Sequence, residues 1–340
     1  MKKSFVVLGF CICSLSWASS AGQEKRAFVT YQEMREYLGE LFQQKKYAEA
    51  ASLLEDTIDR FPANALAMSY NLAMARANMG EVEKAVQALE EGHRRGVFYG
   101  IWDFENGLWD PIKKSPRFDA FLAANQARLE EAQKTASMKI EAVMPAGFDP
   151  ARTYPLFIAL HGGGETNADL KPKWTSPRLR SEFITVFVQS SKMAGMKGFH
   201  WQDLAVTRRD LEAAYKMILE RYPVDAGRTI IGGFSSGGFA SLAAALEDYF
   251  PVRGFVALCP EIPSTISDED ILAAKTRGLR GTLLTTEMDR RVDPQKAFIT
   301  RMEKLGLAVE FHLTPNIGHW FPEDFESLLD RAIALILPAK

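Results

Sequence analysis

The sequence predicts two units of different class: an all-helical unit over residues 28–134 and an α/β unit over residues 138–340 whose sheet is mostly parallel. Three observations carry this. Apolar residues recur at three- and four-residue steps from Tyr31 to about Glu131, which is the helical period. After Lys139 strand-like apolar runs alternate with helical segments, as in a parallel sheet covered on both faces. Glycine-rich turns then close two of these runs, at the carboxyl ends of strands where such sheets carry reactive groups.

The start of the chain is set apart from both units. Lys2 and Lys3 precede an apolar run from Phe5 to Trp17, and the small residues Ser19 and Ala21 follow. This is the three-part layout of a secretory signal peptide over residues 1–21, too short to span a bilayer, so the mature chain is expected to be periplasmic or secreted with no membrane span. Phe10 and Ile12 precede Cys11 and Cys13, where a lipid-attachment signal needs a small residue. Loss of the leader leaves only Cys259, so no internal disulfide is expected. Cys259 follows the apolar run Gly254 to Leu258 and reads as a buried small hydrophobe. No Cys or His pair has metal-ligand spacing, and neither a metal nor another cofactor is expected.

In the 340-residue chain, 47% of residues are hydrophobic and 25% charged, as in ordinary globular proteins. A formal net charge of −2 gives no electrostatic reason for a nucleic-acid or anionic-membrane partner.

Within the helical unit, Leu38, Leu41 and Phe42 mark one apolar face, and Leu53, Leu54, Ile58 and Phe61 another, with Pro62 and Gly80 as breaks. Tyr47-x-x-Ala50-x-x-Leu53-Leu54 is echoed by Val82-x-x-Ala85-x-x-Ala88-Leu89 one repeat later. The echo resembles tetratricopeptide repeats, whose helix-turn-helix units have about a 34-residue period. A weaker third pair is expected from Leu108-Trp109-Asp110-Pro111 and the helix through Phe121 and Leu122. The resemblance implies a surface for a peptide or protein, or simply a unit that packs on its neighbour.

In the α/β unit, strands are expected at Lys139 to Pro145, Tyr154 to His161, Phe183 to Val188, Thr229 to Phe234, Phe255 to Leu258, Thr282 to Thr285 and Val309 to Leu313. Helices are expected at about Thr207 to Arg221, Ser236 to Asp248, Pro294 to Leu305 and Pro322 to Leu337.

Gly233-Phe234-Ser235-Ser236-Gly237 lies between one such strand and an alanine-rich helix, the strand-turn-helix setting of a nucleophile elbow. The turn is so tight that side chains flanking Ser235 would strike neighbouring backbone. His161-Gly162-Gly163-Gly164 ends an earlier strand, and its glycines leave backbone N–H groups free to face a pocket. Gly163 and Ser236 are the candidate oxyanion donors, with Gly162 or Gly164 as alternatives; His161 braces the loop. A serine needs a base. His319, in Asn316-Ile317-Gly318-His319-Trp320 after the last strand, fits best; His93 falls in the other unit, His312 inside a strand, and His200 beside the pocket. Asp289 is the first choice to orient that base, ahead of Asp293, which suits a helix cap before Pro294, and Glu287. Trp201, Pro260 and Trp320 are candidate pocket walls, with ordinary core as the alternative for the tryptophans.

The order of glycine loop, serine, aspartate and histidine resembles the α/β-hydrolase superfamily. Residues 136–340 are similar to its phospholipase/carboxylesterase, dienelactone hydrolase and polyhydroxybutyrate-depolymerase-like members, on Tyr154-Pro155-Leu156, Leu160-His161-Gly162-Gly163, Pro223-Val224-Asp225, Gly233 to Gly238, Asp289 with Val292, and Gly318-His319. The resemblance implies hydrolysis of a small-molecule ester through an acyl-serine, without metal or organic cofactor. A serine peptidase of the same fold and a catalytically inactive repeat-type interaction protein are the alternatives. The fused helical half departs from the small carboxylesterases.

Overall fold

The computed structural model describes residues 28–338; the expected leader lies outside them. The helical unit comprises α1 (Tyr31–Gln43), α2 (Tyr47–Thr57), α3 (Ala65–Asn78), α4 (Val82–Arg94) and α5 (Pro116–Gln133). Thr30 opens α1 with a capping box closed by Glu33, satisfying two otherwise orphaned N–H groups. Gly80, at φ 74°, ends α3 in the left-handed conformation that reverses the chain into α4. The echoed positions fall alike: Ala50 and Leu54 on α2, and Ala85 and Leu89 on α4, are all fully buried. Small Ala50 and Ala85 let the paired helices approach closely.

The third helix pair is not formed. Between α4 and α5 the chain runs through two short 3-10 turns, Gly107–Trp109 and Ile112–Lys114. Gly96, at φ 81°, and Pro111 lie in this stretch, which puts its aromatic residues into a cluster instead of onto a helix face. Phe104 sits at its centre, with ring centroids 5.1 Å from Trp109, 5.4 Å from Phe118 and 5.6 Å from Phe121.

The α/β unit carries a seven-stranded sheet. In chain order its strands are β1 (Lys139–Val143), β2 (Tyr154–Leu160), β3 (Ile184–Gln189), β6 (Val224–Phe234), β7 (Gly254–Leu258), β8 (Arg280–Thr286) and β9 (Ala308–Thr314); β4 (Met193–Gly195) and β5 (Gly198–Phe199) form a separate hairpin. The spatial order is β1-β3-β2-β6-β7-β8-β9, with β1 antiparallel to β3 and every other pairing parallel. The strands β2, β3 and β7 are buried at every position, as expected of strands covered on both faces.

The intervening helices are α6 (Asn167–Leu170), α7 (Pro177–Glu182), α8 (Leu204–Arg221), α9 (Ser236–Leu246), α10 (Asp268–Thr276), α11 (Val292–Lys304) and α12 (Phe325–Ile336). One core layer joins α8, α9, α10 and α11 to the sheet, and the other is built on Trp174, α7 and α12. Short α6, α7 and α10 and the two-residue and three-residue strands of the hairpin are too brief to leave a period in the sequence. Helix α9 is buried throughout and lies beneath the centre of the sheet. Among the described residues no helix is long and apolar enough to cross a membrane.

Candidate active site

Ser235 follows the last residue of β6, the central strand, and caps α9 with φ 54° and ψ −111°. That conformation is rare for a residue with a side chain and persists only where the surroundings enforce it. Two backbone bonds do so: Ser235 N–H donates to the Leu258 carbonyl at 2.8 Å, and its own carbonyl accepts from Phe239 N–H at 2.9 Å. The flanking glycines are required by close approach. A Cβ on Gly233 would strike the Gly237 backbone, and one on Gly237 would strike the Leu160 and His161 carbonyl oxygens. The side chain of Ser235 is thereby held off the sheet at the positive end of an eleven-residue helix.

The loops after β8 and β9 bring two more side chains to it. Ser235 Oγ lies 2.9 Å from His319 Nε2, and His319 Nδ1 lies 2.8 Å from Asp289 Oδ2. Ionised carboxylates only accept, so the ring proton sits on Nδ1 and Nε2 carries the lone pair facing the serine hydroxyl. Asp289 is fully buried in its side chain, whereas His319 is about one-third exposed. Burial pushes the Asp289 carboxyl up, but the His319 N–H and the Arg291 backbone N–H, 2.9 Å from Oδ1, outweigh it and hold it below the ordinary range.

The two loops are tied together. Thr286 Oγ1 donates to the Gly318 carbonyl at 2.7 Å, Met288 N–H to the Ile317 carbonyl at 2.9 Å, and Asn316 N–H to Glu287 Oε2 at 3.0 Å. Glu287 therefore braces the histidine loop. Asp293 is neither a partner of His319 nor the expected cap: α11 begins at Val292, so Asp293 is an exposed first-turn residue. The backbone turn at Asp289 admits the helix earlier than Pro294 alone indicates.

Two of the three glycine-loop N–H groups are engaged in hydrogen bonds. Gly162 N–H donates to Glu165 Oε2 at 2.9 Å, and Gly164 N–H to the Phe199 carbonyl at 2.8 Å. Gly163 and Ser236 N–H have no hydrogen-bond partner among the described residues. The two residues are neighbours in space, since a Cβ on Gly163 would lie 3.5 Å from Ser236 Cβ. Gly162 is buried and Gly164 lines a separate recess, so neither is a wall of the Ser235 cavity.

His161 is fully buried and pins the loop. Its Nε2 accepts from Ser190 N–H at 3.2 Å, leaving the proton on Nδ1, which donates to the Gly162 carbonyl at 2.7 Å. Burial depresses its pKa to about 4 and keeps it neutral. Trp201 and Pro260 do not wall the cavity as expected: both are buried and outside it. Trp201 Nε1–H donates to the His161 carbonyl and its backbone N–H to Ser236 Oγ, while the Pro260 carbonyl accepts from Gln295. Each follows a motif because it supports one. His200 is also buried, beside the Trp102 ring. His93, stacked on Phe121 and bonded to Asn125, belongs to the helical core.

The cavity beside Ser235 measures about 660 Å³. Ser235, Ser236, Gly163 and His319 line it together with Phe234, Trp320 and Gln202. Trp320 is 53% exposed, with Lys173 Nζ 4.7 Å from its ring centre and ion-paired to Glu165. Glu261, Arg290 and Arg291 line one part, and Trp102 and Glu105 of the helical unit another. These last five carry no motif and no period; only their placement reveals them. Potential ligand atoms of Cys259, Asp289 and His319 lie within 4.8 Å of one another. Asp289 and His319 of this set bond to each other, and burial pushes the Cys259 thiol up to about 11.

Residues 41–95 match the tetratricopeptide repeat family. A comparison with curated proteins finds no match. Among solved structures, an uncharacterized protein from Bacillus cereus ATCC 10987 is similar over 91% of this chain and 99% of its own, at 24% identity and a TM-score of 0.50. Esterase PE8 is similar over 59% of this chain and 100% of its own, at 18% identity and a TM-score of 0.47. Dipeptidyl peptidase 4 of Porphyromonas gingivalis is similar over 60% of this chain and 34% of its own, at 15% identity and a TM-score of 0.46. At 24% identity the first of these likenesses concerns the fold alone and not the reaction. The chain joins a tetratricopeptide-type helical unit to a mixed α/β unit with a mostly parallel sheet.

Proposed function

We propose that the α/β unit is a serine hydrolase of the α/β-hydrolase type that cleaves carboxylic esters through an acyl-Ser235 intermediate. The observation that carries the reading is the unbroken relay from Asp289 through His319 to Ser235, at 2.8 and 2.9 Å, beside two unbonded N–H groups. Ser235 Oγ attacks the ester carbonyl as its proton passes to His319 Nε2. The carbonyl oxygen becomes an oxyanion held by Gly163 and Ser236 N–H, donors whose preorganisation acts where charge develops. Buried Asp289 stabilises the imidazolium. His319 then protonates the leaving alkoxide as the C–O bond breaks. Water, deprotonated by His319, repeats the addition; collapse of the second oxyanion releases the acid and returns the proton to Ser235.

The cavity volume suits a small ligand, and comparing ester with peptide turnover separates a small-molecule ester from a peptide substrate. The test is hydrolysis of short and medium p-nitrophenyl esters by the protein and by Ser235→Ala. Turnover and labelling by a serine-directed phosphonate should both vanish in a folded Ser235→Ala variant. An active, labelled wild type whose Ser235→Ala variant keeps its rate overturns Ser235 as nucleophile. A wild type that neither turns over nor is labelled returns the chain to an interaction role for its helical unit.

A further inference from the structure

The α/β unit does not build the cavity alone. Trp102 and Glu105 reach it from the segment between α4 and α5. That segment is anchored on both sides. The Tyr70 hydroxyl of α3 donates to the Asp103 carbonyl at 2.7 Å, and the Asp103 carboxylate accepts from Gly100 N–H at 2.7 Å. Phe104 is buried in the aromatic cluster of the helical unit. On the other side, Ile101 N–H donates to the Ala194 carbonyl of β4 at 2.8 Å. Gly100 and Gly195 approach so closely that a Cβ on Gly195 would lie 2.8 Å from Gly100 Cα.

Between these anchors the Trp102 indole lies against Gly163, whose Cβ, if present, would come within 3.0 Å of the ring. Its other contact is edge-on with His200, at 5.6 Å between centroids. The ring therefore flanks the glycine that offers the free oxyanion donor. Glu105, Glu261, Arg290 and Arg291 make up much of the remaining wall, and none has an ion-pair partner among the described residues.

The geometry points to Trp102 as a specificity-determining wall by which the helical unit limits the size of the ester substituent, favouring compact groups over extended alkyl chains. This rests on Ser235 being the nucleophile. A flat ring on a segment held from both units, and seated against Gly163 and His200, gives a boundary that resists a longer chain. Glu105, Glu261, Arg290 and Arg291, which share the lining, would lose water to an alkyl chain and gain no hydrogen bond in return. The helical unit is then part of the active site and not an appended module.

The test uses the full chain, Trp102→Ala and Trp102→Phe, with two ester series: p-nitrophenyl acetate to octanoate, and ethyl to octyl acetate. Trp102→Ala should raise the octanoate-to-acetate or octyl-to-ethyl ratio of kcat/KM by about 10-fold or more, mainly through KM for the long ester. Trp102→Phe, which keeps a flat ring, should give an intermediate shift, and it carries the test should the alanine variant not be recovered. Ratios within twofold of wild type in both series overturn the inference, as does an equal loss on every ester with a lower Tm, the mark of a merely structural role. Phosphonate labelling separates the two levels: an unlabelled, inactive wild type removes the nucleophile assignment and this inference with it, whereas a labelled wild type with unchanged ratios removes this inference alone.

Discussion

Replacing Asp289 by asparagine tests the relay at its buried end. The carboxylate accepts from His319 Nδ1 at 2.8 Å and from Arg291 N–H at 2.9 Å, and its side chain is inaccessible to water. In Asp289→Asn the amide oxygen can keep the Arg291 bond, which turns the NH2 group toward His319. Nδ1 must then accept, the ring proton moves to Nε2, and no lone pair faces Ser235 Oγ. The imidazolium formed during attack also loses its counter-charge. At about 4 Å between charge centres and an effective dielectric of about 20, that attraction is roughly 4 kcal/mol. Adding the tautomer, the expected loss is roughly 10⁴-fold in kcat, or about 5.4 kcal/mol at 1.36 kcal/mol per tenfold. The assay is initial-rate ester hydrolysis with phosphonate labelling, and Asp293→Asn as control. The exposed first-turn Asp293 should keep full activity and lose no more than about 1 kcal/mol of stability. An Asp289→Asn enzyme within tenfold of wild type, or an Asp293→Asn enzyme equally impaired, refutes the assignment. The depressed Asp289 carboxyl also stabilises the fold while ionised, and that contribution is lost as pH falls through its folded pKa, below the ordinary carboxylate range.

Buried His161 should make the fold acid-sensitive in a different window. With its pKa lowered from 6.5 to about 4, the unfolded chain binds a proton that the folded one refuses. Its stabilisation is complete above pH 6.5 and declines by about 3 kcal/mol as pH falls to 4. Urea unfolding of wild type and His161→Gln at pH 7 and pH 4 should show a smaller acid loss in the variant; equal losses would mean that His161 is not held neutral. At the elbow, Gly237→Ala drives a methyl into two backbone carbonyl oxygens and should cost about 3 kcal/mol, a Tm drop of roughly 6–12 °C. Gly39→Ala, in α1 with open space around its Cα, should leave Tm unchanged or raise it. Should Gly237→Ala melt at the wild-type temperature, the elbow is not as tight as described.

The sequence by itself determined what is written in neighbouring residues. The helical period, the echo of Ala50 in Ala85 and the alternation after Lys139 each depend on local spacing, and the structure has helices and a mostly parallel sheet at those positions. The strand-turn-helix around Ser235 is legible because the spacing of Gly233 and Gly237 is written within five residues, although the backbone that Gly237 must clear is that of Leu160 and His161 on the neighbouring strand and its loop. His319 and Asp289 were legible because parallel-sheet topology places successive loops at one edge.

Tertiary structure decided what depends on partners far along the chain. The glycine whose N–H stays unbonded was settled by Glu165 and Phe199 taking the other two. Trp201 and Pro260 looked like walls beside their motifs, yet their polar atoms face inward to His161, Ser236 and Gln295. The third helix pair gave way to an aromatic cluster because Gly96 and Pro111 interrupt the helix where Phe104 and Trp109 can pack on Tyr70. Trp102 and Glu105 had no signal, for nothing local distinguishes a tryptophan that closes a distant cavity from one that fills a nearby core. Backbone geometry is dictated locally, but which side chain faces a cavity is set by how surfaces distant in the chain meet.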